Sequence, residues 1–289
     1  TWTVPLTCVE QTRAGRLHTG LSDVREHSMA YEAITSDVDE RGVALITLNR
    51  PEQHNALNRK MIAELHSVAL KLANDDNVRV VVLTGNGKSF CAGGDIGWFR
   101  DTLAMDRKGR IAESRALAEM LHALDRLPKP LIGRINGSAY GGGIGMVSVC
   151  DVTVADRAAR FGLTEVRLGL IPANISPYVI ARIGAARSRS VMLSGTLFGA
   201  EQACALGLID EIADGLDAAT EVRVTAHLEA SSSAVAATKK LIAFVDAHDI
   251  EAAKEYTSEA LADAWETDDG REGIASFLAK RLPSWRSGG

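Results

Sequence analysis

The sequence predicts an α/β fold, and two observations carry that prediction. Apolar runs fit for buried strands alternate with stretches of helical spacing from Tyr31 to about residue 220. Beyond about residue 221 the strand signals stop, and Ala-, Glu- and Lys-rich helical patterns continue alone. Alternation of this kind places helices against both faces of a sheet. The 289 residues, 46% of them hydrophobic, suffice for a large core. Three segments are expected: residues 1–28 as an N-terminal extension outside the fold, 29–220 as the core, and 221–289 as a C-terminal helical region. That last region is too short for a separate domain and is expected to pack on the core or on a partner subunit.

Taken in order, Tyr31–Thr35 and Val43–Leu48 are β-rich, and Asp39-Glu40-Arg41-Gly42 between them reads as a hairpin turn. A helix follows from Asn58 to Ala73, with apolar residues at 61, 62, 65, 68, 69 and 72 and Asn58 as N-cap. Val78–Thr84 is a continuous apolar run, the pattern of a strand buried on both faces. The segment Gly85 to Gly94 reads as a loop, and residues 109–126 as a helix. Leu131–Ile135 is a second buried strand, followed by a glycine-rich loop and a helix from Gly143 to Cys150. Val152–Ala155 is a short strand.

Several function classes are disfavoured by composition. The formal net charge is −5 and no long basic run occurs, so nucleic acid and anionic membranes are poor partners. No apolar run approaches the ~18 residues of a membrane span. Cys8, Cys91, Cys150 and Cys204 are widely spaced and form no C-x-x-C pair, which points to reduced thiols in a cytoplasmic protein rather than a disulfide framework or a zinc site. Residues 1–28 have Arg, Ser and Thr but no apolar stretch of a secretory signal, and Glu10, Asp23 and Glu26 count against a transit peptide.

Two glycine loops stand out. In Gly85-Asn86-Gly87-Lys88-Ser89-Phe90-Cys91-Ala92-Gly93-Gly94-Asp95-Ile96 the Gly-Lys-Ser is similar to a P-loop, but that motif needs glycine where Val82 stands. In Asn136-Gly137-Ser138-Ala139-Tyr140-Gly141-Gly142-Gly143-Ile144-Gly145 a dinucleotide fingerprint begins at Gly143-x-Gly145, with Glu165 twenty residues on. Its third glycine is Ser148, and the turn after Ile135 is too long. Each loop alone reads as a tight turn with no ligand. Two such loops, each after a buried strand, suit stabilisation of a thioester enolate by two backbone N–H donors, which glycine allows to come close. The segment Arg160–Leu170 holds one acid, Glu165, in apolar company. It reads either as an edge residue paired with Arg167 or as a general acid–base whose pKa a desolvated cleft would raise.

With these motifs placed, Ala30 to Arg286 resembles the crotonase, or enoyl-CoA hydratase/isomerase, superfamily. Leu48–Asn58 is similar to the family's early CoA-binding stretch, Ser89–Ile96 to its first oxyanion loop and Gly141-Gly142-Gly143 to its second. The resemblance implies a spiral of strand–strand–helix turns with a C-terminal helical trimerisation region, and assembly as homotrimers or dimers of trimers. It implies oxyanion N–H donors at Gly94 and Gly142, and Glu165 as the catalytic carboxylate. It further implies a channel for CoA lined by Asn55, Ala56, Leu57, Ala92, Gly93, Asp95 and Ile96. Phe277 and Lys280 resemble late residues that reach a neighbouring subunit's CoA. CoA belongs to the substrate, and no metal or separate cofactor is implied.

The sequence departs from the family at one position. Two-glutamate hydratases carry their other catalytic glutamate where this chain has Gly145. The segments Glu165–Ile180 and Glu272–Trp285 are similar to bacterial methylglutaconyl-CoA hydratases, a group that tends to lack that glutamate. On this reading Gly145 leaves room for the substrate's own carboxylate, and Arg167 is a candidate partner for it. The expected reaction is hydration of an α,β-unsaturated acyl-CoA. A Δ3,Δ2-enoyl-CoA isomerase and a non-catalytic acyl-CoA-binding protein are the alternatives.

Overall fold

A computed structural model of the chain describes residues 31–286. The extension expected over 1–28 lies outside the described residues. The fold opens with β1 (Ile34–Val38) and β2 (Val43–Leu48), an antiparallel hairpin whose turn is closed by the Asp39 side chain accepting from the Arg41 and Val43 N–H groups. Helix α1 (Arg59–Ala73) begins where Asn58 Oδ1 accepts from Met61 N (2.9 Å), and it buries Met61, Ile62, Leu65, Val68, Ala69 and Leu72. That face is the one the apolar spacing predicts.

Three strand–strand units follow, each feeding a helix. They are β3 (Val80–Gly85) and β4 (Ser89–Cys91) into α2 (Ile96–Ala104) and α3 (Arg107–Asp125), then β5 (Leu131–Ile135) and β6 (Ser138–Tyr140) into α4 (Gly142–Ser148), then β7 (Val152–Asp156) and β8 (Arg160–Gly162) into α5 (Ser176–Met192). The first strand of each pair joins a six-stranded sheet and the second a four-stranded sheet. Strand β9 (Phe198–Gly199) completes the small sheet. Helix α6 (Ala200–Leu206) leads to β10 (Glu211–Ala213) at the edge of the large one. The sheet orders are β1-β2-β3-β5-β7-β10 and β4-β6-β8-β9. The large sheet is parallel from β2 onward, and in the small one only β8 and β9 run antiparallel.

The second strands of the first two units correct the sequence reading, which took Gly85–Gly94 and Asn136–Gly145 as loops. Strands of three residues show no detectable period, and their pairing comes only from the neighbouring unit. The connection from α4 to α5 also holds a 3₁₀ turn, Glu165–Leu168, and α5 is kinked at Gly184 (φ 78°, ψ 156°).

The main core lies between the large sheet, α1, α3 and the small sheet, around fully buried Leu65, Leu83, Phe90, Met120, Leu121 and Phe161. The other face of the large sheet is closed by α7 (Leu216–Leu228), whose Val224 packs with Val43, Val80, Val82 and Ile132. This helix spans the boundary expected at residue 220. Helices α8 (Ser232–Ala247), α9 (Ile250–Glu266) and α10 (Asp268–Leu278) form the C-terminal helical region. Lys239 ties α8 to the core by donating to Asp151 Oδ2 (2.6 Å) and to the Lys129 carbonyl (3.1 Å).

Candidate active site

The two glycine loops end side by side. A Cβ built on Gly93 would lie 3.1 Å from the Tyr140 carbonyl, and one built on Gly141 would lie 3.9 Å from Gly93 Cα. Both glycines have positive φ, 89° and 48°, so the contact relies on residues without side chains in the left-handed region.

In the first loop, residues 54–57 run alongside 92–95. Ala92 N donates to the His54 carbonyl (3.0 Å), Leu57 N to the Gly93 carbonyl (2.7 Å) and Asp95 N to the Leu57 carbonyl (2.9 Å). Leu57 and Gly94 thus form a parallel bridge that uses the groups on either side of Gly94. The Gly94 N–H faces away from that bridge and has no acceptor among the described residues. Asp95 then caps α2, with Oδ1 accepting from Gly97 N (2.7 Å) and Trp98 N (3.3 Å). Its Oδ2 accepts from Arg50 Nη2 (2.8 Å), and Arg50 also donates to the Ala56 carbonyl. Burial raises the Asp95 pKa, but the Arg50 guanidinium and the cap N–H groups outweigh it and hold the carboxyl below its usual value.

In the second loop, Gly141 N donates to the Gly162 carbonyl (3.0 Å) and α4 begins at Gly142 with no side-chain cap. As the first helical residue, Gly142 has no intrahelical acceptor for its N–H, and the helix dipole favours negative charge there. Leu57 spans both loops. It bridges to Gly94, and its Cδ1 would stand 2.6 Å from a Cβ on Gly142. Phe99 covers Gly94 from the other side, with its ring 2.5 Å from a Cβ built there.

Glu165 opens the 3₁₀ turn that follows β8. Its Oε1 lies 3.0 Å from a Cβ built on Gly141, and its Oε2 is buried with no partner among the described residues. Burial pushes its pKa above the ordinary glutamate value, opposed by a hydrogen bond from its own backbone N–H. One carboxylate with a raised pKa thus lies against Gly141, where the two loops meet, and the Gly94 and Gly142 N–H groups of those loops lack acceptors among the described residues. Such an arrangement can move a proton and bind developing negative charge.

Three features of the site qualify the sequence reading. Asn55 is wholly buried (0% exposed), and its side chain accepts from Arg50 N and donates to the Asn86 and Ser89 carbonyls. With φ 54° and every polar atom of its side chain engaged, it braces the loop from behind. Ala56, Leu57 and Gly93 are also buried behind the surface, which leaves Ala92, Gly94, Asp95 and the exposed Ile96 as the accessible edge. Second, Glu165 and Arg167 form no ion pair. Arg167 turns away, donates to the Ser194 carbonyl (3.2 Å) and packs over Gly195. Third, Gly145 leaves no vacancy, because a Cβ there would overlap Ile175 Cγ2 and stand 3.1 Å from Ile175 Cβ. The space of the missing glutamate is filled by an isoleucine.

Arg50, Phe99 and Ile175 position the site and were not singled out from sequence. Arg50 lies within Leu48–Asn58, but its partner Asp95 is 45 residues away, and no local pattern reports that pairing. Phe277 is exposed at the end of α10, with Lys280 just beyond it at φ 54°. Among the described residues no three His, Cys, Asp or Glu side chains cluster so as to hold a metal ion. Burial pushes the Cys91 and Cys150 thiols up to about 12, so neither is a thiolate nucleophile at neutral pH.

A family model described as enoyl-CoA hydratase/isomerase matches residues 39–288. The chain belongs to that family. Its fold is similar to a crystal structure of an enoyl-CoA hydratase from Shewanella pealeana (TM-score 0.86, 35% identity, 89% of this chain and 97% of that one). The sequence is 31% identical to a short-chain-enoyl-CoA hydratase of Clostridium acetobutylicum over 84% of this chain and 93% of the relative. It is 32% identical to a 1,2-epoxyphenylacetyl-CoA isomerase of Escherichia coli over 88% and 98%. The protein is therefore an enzyme with the crotonase fold, and its relatives include both hydratases and isomerases.

Proposed function

We propose that this enzyme adds water across the double bond of an α,β-unsaturated acyl-CoA. The supporting observation is Glu165, whose Oε1 lies against Gly141, one residue from the open N–H of Gly142, and whose Oε2 is buried without a partner among the described residues. The thioester carbonyl accepts from Gly94 N–H and Gly142 N–H. Glu165, as carboxylate, takes a proton from water while the hydroxyl oxygen bonds to the β-carbon. The π electrons move to the thioester oxygen as an enolate, which the two donors stabilise. Glu165 then returns the proton to the α-carbon, so one residue serves as base and as acid. The scheme needs no metal or redox cofactor, and CoA is part of the substrate.

The substrate in this reading is a branched, carboxylated enoyl-CoA such as methylglutaconyl-CoA, as would arise in leucine breakdown in the cytoplasm. Self-association into trimers or paired trimers would cover the exposed Ile250, Leu261, Trp265, Phe277 and Leu278 of the C-terminal helices, and light scattering tests it.

One observation favours a second reading. Ile175 occupies the place of a second glutamate, and a single carboxylate suffices to carry a proton between two carbons of a 3-enoyl-CoA. Incubation with 2-enoyl- and 3-enoyl-CoA, read by mass spectrometry, separates the two. A hydroxyacyl product supports hydration. Conversion of 3-enoyl to 2-enoyl without one would sink it, and turnover unaffected in both Glu165→Gln and Gly142→Pro would remove catalysis from this site.

A further inference from the structure

One face of α3 carries Arg107, Arg110, Ser114, Arg115 and Glu119, which with Asn174 line an open cavity of about 550 Å3. A charged helix face is ordinarily just solvated. Three features set this one apart. None of the three guanidinium groups forms an ion pair among the described residues. Arg110 is nevertheless held, donating from Nε to the Thr102 carbonyl (3.2 Å) and from Nη2 to the Leu103 carbonyl (2.8 Å), at the end of α2. Second, Ser114 Oγ donates to Asn174 Oδ1 (2.9 Å), which fixes the amide and leaves its NH₂ without a partner among the described residues. Third, Asn174 links the cavity lining to the candidate site. Asn174 precedes Ile175, which packs on Gly145, three residues along α4 from Gly142. That is an advance of about 4.5 Å. The accessible edge at Ala92, Asp95 and Ile96 belongs to the other loop, and on the reading that CoA runs along that edge the acyl chain is taken to point toward Ile175 and Asn174.

We propose that this cavity receives a free carboxylate at the distal end of the acyl chain, with Arg110 and Arg115 as its main partners and the Asn174 amide as a further donor. The substrate class is then a CoA monothioester of an α,β-unsaturated dicarboxylic acid. This rests on the acyl-CoA reading above and assigns the anion's partner to α3 instead of Arg167. Guanidinium groups stay charged and bind carboxylate through paired hydrogen bonds. Glu119 is the one acid in the lining, against three arginines.

The test compares 3-methylglutaconyl-CoA with 3-methylcrotonyl-CoA, which differs by lacking the distal carboxylate, in the full chain and in an Arg110→Gln/Arg115→Gln double variant. The expected result is a wild-type preference in kcat/KM for the acidic substrate. In the double variant that preference should fall about ten- to hundredfold, the range for hydrogen bonds to charged groups. Three results overturn the proposal: no wild-type preference, an equal loss on both substrates, or a matching loss in inhibition by free CoA, which would assign the arginines to CoA phosphates. If neither substrate turns over, the hydratase reading falls, and calorimetric binding of glutaryl-CoA against valeryl-CoA still decides the cavity. Tighter glutaryl-CoA binding that the double variant loses supports it, and equal binding overturns it.

Discussion

The two glycine loops reach the same end by different means. At Gly94 the free N–H is a product of strand pairing, since Leu57 engages the groups on either side and leaves the one between. At Gly142 it is a product of helix geometry, as the first N–H of a helix without a side-chain cap. The first loop is partly exposed and held by side chains, with Arg50 on Asp95 and Asp95 on the start of α2. The second is held by backbone packing, and α4 buries Gly143 through Ser148. Side-chain bracing makes the first loop adjustable by conservative substitution. Backbone bracing leaves the second no such range.

The strongest way to break the comparison is at the group both loops adjoin. Glu165→Gln should lower kcat by about 10²–10⁴-fold, the usual weight of a positioned acid–base, and remove the acidic limb of the pH–rate profile. That limb reflects loss of the carboxylate as pH falls through its raised pKa. The same shift sets a stability effect of opposite sense. A folded-state pKa raised by burial favours the protonated form, so its stabilisation is complete at low pH and is lost as pH rises through the folded value. Glu165→Gln should therefore raise the thermal midpoint at pH 8, and the gain should vanish at pH 4. A gain that persists at pH 4 would remove ionisation as its cause.

Gly142→Pro tests the helix-derived donor. Proline is tolerated at the first helical position but has no N–H, so kcat should fall about 10²–10³-fold below that of Gly142→Ala, which brings the same Cβ against Leu57 but keeps the donor, with α4 retained by circular dichroism. Gly145→Glu tests the backbone-braced helix. The added side chain meets Ile175, and unfolding stability should drop by about 1–3 kcal/mol in a denaturant titration. A paired Ile175→Ala should recover part of it. Asp95→Asn probes the side-chain-braced loop and should have the smallest effect. It keeps an oxygen to cap α2 but loses the charge on Arg50, costing about 1 kcal/mol and a few-fold in KM. If Asp95→Asn costs more than Gly145→Glu, the assignment of rigid and adjustable loops is reversed.

Local pattern carried a good part of this fold. Asn58 and the six apolar positions after it are a complete helix signal within sixteen residues, and β3 is legible as an unbroken apolar run. Each depends on groups close together in the chain. The strands β4, β6 and β8 were not legible, because three residues show no period and their hydrogen-bond partners belong to other units. The glycine loops and Glu165 were legible as residue types in order. The bracing of Asp95 by Arg50, the withdrawal of Asn55 behind the loop and the turning away of Arg167 were not.

Position 145 shows the division most clearly. That a glycine stands where the family's other glutamate belongs is what the resemblance implies from the order of residues, and on that reading a single carboxylate remains. Whether the glycine opens space depends on packing across thirty positions, where Ile175 returns to lie on Gly145. Side-chain volume is filled by whichever residue the fold brings there, since interiors are close-packed and leave few voids. The order of residues therefore specified which chemical groups are available, and the packing of distant segments specified which of them meet a ligand.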